Sequence, residues 1–79
     1  MVLFYIYLNG MEGTCFEKSI CRTVPGERKD TQERVYDILT DRPFDQAHEV
    51  AEDAASWTDF AYPGESYETD DFTIVCREE

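Results

Sequence analysis

The first seven residues of the apolar pattern, Val2–Leu8, read V-L-F-Y-I-Y-L. Val2, Phe4, Ile6 and Leu8 fall on one alternation, and Leu3, Tyr5 and Tyr7 on the other. Strand-forming residues that are apolar on both faces predict a central strand, whose tyrosines keep their hydroxyls in water. Asn9-Gly10-Met11-Glu12-Gly13 follows as a turn signal. Phe16–Val24 predicts a second strand with Phe16, Ile20 and Val24 apolar, although a spacing of four also suits a helix. Pro25-Gly26 ends it.

The period then changes. Asp30 suits an N-cap and Glu33 stands three residues on, as in a capping box. Val35, Ile38 and Leu39 recur at helical spacing, and Pro43 ends the run by pushing Arg42 out of the helical region. A second helix is expected from Phe44 to Trp57, with the stripe Phe44, Ala47, Val50, Ala51, Ala54 and Trp57. At ~100° per residue the two stripes differ in phase by roughly 100°. A single straight helix cannot bury both, so a break or sharp kink is expected near Pro43. Thr58–Glu68 is expected to be a loop with Pro63-Gly64 at a tight turn. Phe72, Ile74 and Cys76 alternate with Thr73, Val75 and Arg77 in a closing strand.

These elements predict one compact α+β domain over residues 1–79. It is a three-stranded, mostly antiparallel sheet with two helices on one face, in the order β-β-α-α-β. Whether helices, a second copy or a partner covers the other apolar face of the first strand is open at this level. An exposed face there favours a homodimer.

Composition adds mainly charge. Of 79 residues, 42% are hydrophobic, enough for one small core. Eighteen acids against seven Lys and Arg give a formal net charge of −11 and a pI near 4.2. That balance argues against direct binding to nucleic acid or to an anionic membrane, and it points toward a basic partner or toward simple solubility. The charge is uneven: residues 1–29 carry a net +1, whereas residues 30–79 carry fifteen acids against Arg34, Arg42 and Arg77. Val2–Leu8 is far short of the ~20 residues that span a bilayer, and it lacks the flanks of a signal peptide. Three cysteines, Cys15, Cys21 and Cys76, form an odd set without a C-x-x-C pair. Buried reduced thiols in a cytoplasmic protein are therefore expected.

Candidate chemistry follows the acids. On the first helix, Asp30, Glu33, Asp37 and Asp41 lie opposite the apolar stripe; on the second, Asp45, Glu49, Glu52 and Asp53 lie away from the alanines. Asp37 with Asp41, and Asp45 with Glu49, are like-charged i, i+4 pairs, each destabilising a helix by a few tenths (~0.2–0.5) of a kcal/mol. Selection for stability alone interleaves cations at such places. A row of carboxylates suits a Lys/Arg groove built for phosphates; the plainer alternative is a solvated face. In the loop and its flank, Trp57, Phe60, Tyr62 and Tyr67 interleave with Asp59, Glu65, Glu68, Asp70 and Asp71. Trp57 and Phe60 are expected to close the end of the core. Tyr62, Glu65 and Glu68 join Asp37, Asp41, Asp45, Glu49, Glu52 and Asp53 as expected partner-binding residues.

His48, the sole histidine, falls on the polar side of the second helix and reads as an ordinary surface residue. A Cys₃His zinc site from Cys15, Cys21, Cys76 and His48 has the wrong spacing for the usual knuckle. No calcium loop, phosphate-cradling glycine loop or nucleophile–base–orienter set is visible. A non-enzymatic protein without catalytic, cofactor or metal residues is expected.

In size, charge and element order the chain resembles the small phage-encoded inhibitors of host nucleic-acid machinery, the anti-CRISPR and DNA-mimic proteins. The stretch Pro43-Phe44-Asp45-Gln46-Ala47-His48-Glu49-Val50-Ala51-Glu52-Asp53-Ala54 is similar to the amphipathic helix of tiny phage proteins of this layout. The resemblance implies a protein of the host cytoplasm whose partner is a basic nucleic-acid-binding protein, with a CRISPR effector favoured. The alternative is a small acidic virion or scaffold protein. The positively balanced N-terminal third departs from a uniformly acidic mimic. It leaves two modes open, replacement of DNA and docking on a basic patch.

Overall fold

A computed structural model of the chain describes residues 2–10, 17–22 and 29–78. The elements are β1 (Val2–Leu8), β2 (Glu17–Arg22), α1 (Lys29–Thr40), α2 (His48–Phe60), β3 (Ser66–Glu68) and β4 (Phe72–Glu78). The fold is α+β, with an antiparallel sheet in the order β2-β1-β4-β3. The three strands expected from the apolar alternation are β2, β1 and β4. The short edge strand β3 is an addition within the segment expected to be loop.

The two-sided apolar strand β1 is central. Its pairing with β4 sets Phe4 opposite Cys76, Ile6 opposite Ile74 and Leu8 opposite Phe72. Phe4, Ile6, Phe72, Ile74 and Cys76 are fully buried with Val35 and Leu39 of α1 and Ala51 and Ala54 of α2. Ala51, Ala54 and Ala55 are the small side chains that α2 sets into this core. On the other alternation Leu3, Tyr5, Tyr7 and Val75 are half-buried, and the Arg77 guanidinium stands 5.6 Å from the Tyr5 ring centre.

β3 forms because its single large side chain has somewhere to go. Tyr67 stacks on Phe72 with ring centres 5.9 Å apart, and it tilts against Trp57 at 5.8 Å. Thr69 closes the hairpin: its amide donates to the Phe72 carbonyl at 2.9 Å, and its hydroxyl accepts from the amides of Asp71 and Phe72. Asn9, at the end of β1, donates through its side chain to the Thr69 carbonyl at 2.7 Å and accepts from the Thr73 hydroxyl at 2.9 Å. That turn residue thus ties the hairpin to the centre of the sheet.

The expected helix break is present, but the second helix begins later than the periodicity indicates. The Arg42-Pro43 peptide is cis, and Asp45 adopts φ 48°, in the left-handed region. Phe44 turns inward, is 5% exposed and meets Phe72 edge to face at 6.3 Å. The core claims Phe44 as an anchor of the connector, so α2 starts at His48 and runs on to Phe60. Ala47, expected in the apolar stripe, is its exposed N-cap. At the other helix, α1 begins at Lys29, so Asp30 lies in its first turn rather than ahead of it. Pro25-Gly26, Phe16, Val24 and Cys15 lie outside the described residues. No helix among the described residues is long and apolar enough to cross a membrane.

Candidate functional site

Because both helices lie on one face of the sheet, their outward surfaces form a single layer, and the acids populate it. Glu33, Asp37, Asp41, Asp45, Glu49, Glu52 and Asp53 are all exposed. Eight of the nine expected partner-binding residues divide among three places, and the ninth, Glu49, is exposed in the first turn of α2.

The first is the groove between α1 and α2, a cavity of about 810 Å³. Glu33, Tyr36 and Asp37 line it from α1, and His48 and Glu52 from α2. Glu33 and Asp37 are one helical turn apart and so share the α1 stripe that faces the groove. Across it, the Tyr36 hydroxyl hydrogen-bonds His48 Nδ1, and His48 Nε2 lies 2.9 Å from Glu52 Oε1. His48 therefore bridges the α1 phenol and the α2 carboxylate through its two ring nitrogens. The Tyr36 and His48 rings meet edge to face at 5.3 Å. Three carboxylates therefore surround a paired phenol and imidazole, and among the described residues no Lys or Arg lines the groove. Below it, the Gln32 side-chain amide donates to Asp59, which is 8% exposed. Asp37 and Glu52 are thus brought together on one groove, while Glu33 and Tyr36 complete a site that the sequence reading did not assemble. His48 keeps the exposure its helical phase implies, at 65% for the side chain. Its cross-helix bond to Tyr36 has no signature in local spacing.

The second place is the connector. The Asp41 amide still donates to the Asp37 carbonyl at 3.1 Å, so Asp41 continues the α1 row by one turn. Its Oδ1 accepts from the Arg42 amide at 2.8 Å. Asp45 does not join the α2 row. It lies in the loop before Ala47, so the expected Asp45–Glu49 helical pair is not formed. The left-handed conformation at Asp45 and the burial of Phe44 are the reason.

The third place is the far side of α2 and the turn beyond it. Tyr67 donates to Asp53 Oδ2 at 2.7 Å. Burial first, then that hydrogen bond and the Asp53 charge, push the Tyr67 phenol up to about 12. Glu65 accepts at 2.6 Å from the amide of Tyr62, and Glu68 is exposed on β3. Tyr62 is 70% exposed. Phe60, expected to close the core, is instead 71% exposed, because Ala61 turns into the core in its place. Trp57 does pack inward, edge to face on Phe4 at 5.9 Å.

Cys76 is a buried thiol whose Sγ reaches the Ala61 carbonyl at 3.9 Å. Among the described residues, no group of three or more His, Cys, Asp and Glu side chains is placed to hold a metal ion. In comparisons with known proteins, no family model, curated protein or solved structure matches the chain.

Proposed function

We propose that this protein is a non-enzymatic inhibitor whose acidic helical layer occupies a basic, nucleic-acid-binding surface of a larger protein, a CRISPR effector being the most specific form of that partner. The observation that carries the proposal is where the carboxylates sit. Asp37 stands in the last turn of α1 and Asp41 just past its end, and neither helix has a basic residue in its last turn. A helix C-terminus carries a partial negative charge and favours cations. Acids there weaken the helix, and the groove adds Glu33, Asp37 and Glu52 with no Lys or Arg among its described lining. Acids set at that end of α1 against its stability are what a binding role for anions accounts for and simple solubility does not.

In this mechanism, carboxylates replace phosphates at the partner's Lys and Arg, and the partner loses its nucleic-acid site. Exposed pairs contribute only ~0–1 kcal/mol each, so affinity depends on a few central contacts. The decisive measurement is competition. Purified protein is added to a panel of CRISPR effector complexes with labelled target DNA, and DNA binding is read directly. Loss of DNA binding by at least one effector is expected with the wild-type chain and not with folded Asp37→Lys/Glu49→Lys/Glu52→Lys. Equal inhibition by the folded triple variant, or undisturbed DNA binding across the panel, defeats the proposal.

A further inference from the structure

The two largest exposed apolar side chains among the described residues, Phe60 and Tyr62, are neighbours at one end of α2. They flank Ala61, which is 1% exposed and extended at φ −68° and ψ 140°. In an extended segment successive side chains point to opposite sides, so burying Ala61 turns both aromatics outward.

The backbone that presents them is fixed at several points. The Ala61 amide donates to the Trp57 carbonyl at 3.0 Å, and the Glu65 amide to the Tyr62 carbonyl at 3.0 Å. The Gly64 amide donates to the Cys76 carbonyl at 2.8 Å, and the Cys76 amide to the Glu65 carbonyl at 3.0 Å. Gly64 has φ 97°, a conformation that side chains on an L-residue strain. The Glu65 carboxylate holds the Tyr62 amide. Two aromatics held out on a braced turn lose little conformational freedom when a partner covers them.

The α2 stripe that leads to Phe60 is acidic. On α2, Asp53 precedes Phe60 by seven residues and Glu49 by eleven, so at ~100° per residue the three lie within about 40° on one stripe. At ~1.5 Å per residue the stripe is about 16 Å long. All three residues are exposed.

We propose that Phe60 and Tyr62 are the anchors of an interface whose acidic rim is Glu49, Asp53 and Glu65, and that its occupant is a protein surface with an apolar pocket bordered by Lys or Arg. Charge decides between that occupant and a second copy. In a symmetric dimer the Glu49/Asp53 stripe would lie against an equally acidic surface of a chain already at −11. The inference takes the partner's basic character from the function proposed above, but it does not require that the partner bind nucleic acid.

Three short peptides serve as probes: arginine alternating with leucine, arginine with serine, and glutamate with leucine. Each is titrated into ¹⁵N-labelled protein. The arginine–leucine peptide is expected to shift the amides of residues 49, 53 and 60–65 and to bind about tenfold more tightly than the arginine–serine peptide. Folded Phe60→Ala/Tyr62→Ser is expected to lose that tenfold preference. Equal binding of the two arginine peptides, shifts confined to the α1/α2 groove, stronger binding of the glutamate–leucine peptide, or an unchanged preference in the double variant each overturns the interface. A wild-type dimer in sedimentation that the double variant abolishes overturns the choice of occupant. Because the probes contain no nucleic acid, failure here leaves the DNA-competition result standing, and the reverse holds too.

Discussion

Phe44 and Phe60 are both apolar aromatics beside an acidic residue, and the structure assigns them opposite fates. Truncating each to alanine tests that assignment. Phe44 is 5% exposed and rests its ring on Phe72. Removing it forfeits ~2–3 kcal/mol of apolar transfer and leaves a cavity that the connector fills only in part. The edge-to-face contact adds ~0.5–1.5 kcal/mol, so the loss should total about 3–5 kcal/mol. Phe60, at 71% exposure, should cost no more than ~0.5 kcal/mol. A domain of this length is stable by roughly 4–12 kcal/mol, so Phe44→Ala removes a large share of the total. Urea unfolding is followed by the fluorescence of Trp57, which packs on Phe4 and Tyr67 inside the same core. The midpoint of Phe44→Ala should fall sharply and that of Phe60→Ala barely move, with unchanged slopes. Should Phe44→Ala prove too unstable to fold, Phe44→Leu gives a smaller measurable loss. Similar losses at the two positions, or a loss above ~2 kcal/mol at Phe60, would refute both the burial of the connector and the outward turn at Ala61.

Further outcomes follow from individual contacts. Ala47 has N-cap backbone geometry but no side-chain cap, so Ala47→Ser should stabilise the fold by about 0.5–1 kcal/mol and raise the Tm by several degrees. A flat or lowered Tm in a thermal scan counts against the helix start at His48. The Tyr67 phenol, raised to about 12, is neutral in the folded chain at pH values where the unfolded chain ionises. Its contribution is therefore complete below about pH 10 and is lost as pH rises toward 12. Phenolate absorbance should show one late-titrating tyrosine, and Asp53→Asn should bring it down only part-way, since burial is the larger cause. Full return to the ordinary tyrosine value in that variant argues against the burial of Tyr67.

Much of the fold is legible because two periods dominate the sequence. The two-sided apolar run of β1 marks it as central, and the alternation of Phe72, Ile74 and Cys76 matches the buried face of β4. The phase difference between the helical stripes locates the break at Pro43. What the sequence conceals is decided by tertiary contacts. Ser66-Tyr67-Glu68 holds one strong strand former, and it pairs because Tyr67 finds Phe72 and Trp57. Phe44 fits a helical stripe by spacing, yet a place beside Phe72 outweighs one more helical turn. The same logic governs the candidate site. Helical phase correctly puts Asp37, Glu49, Glu52 and Asp53 on exposed faces, because charge and burial oppose each other. It does not show which faces of different helices meet, so the pairing of Tyr36 with His48 is invisible along the chain. Phe60 is misread for a related reason: aromatics are usually buried, and here Ala61 takes the inward position.

Under the proposed function, the two acidic regions differ in shape and so in what each would hold. The groove carboxylates are concave and surround a phenol–imidazole pair, an environment that fits a single protruding cation. The stripe of Glu49 and Asp53 is convex and ends in two aromatics, which fits a recess. A basic partner could be steered by the long-range field of the whole layer, since a charge of −11 raises encounter rates at low salt. Residence would then depend on the aromatics, whose contacts salt does not screen. Salt should therefore slow association much more than it speeds dissociation. Truncation of Phe60 and Tyr62 should do the opposite. Measured on a common partner, those two signatures separate an acidic surface that only attracts from one that also holds.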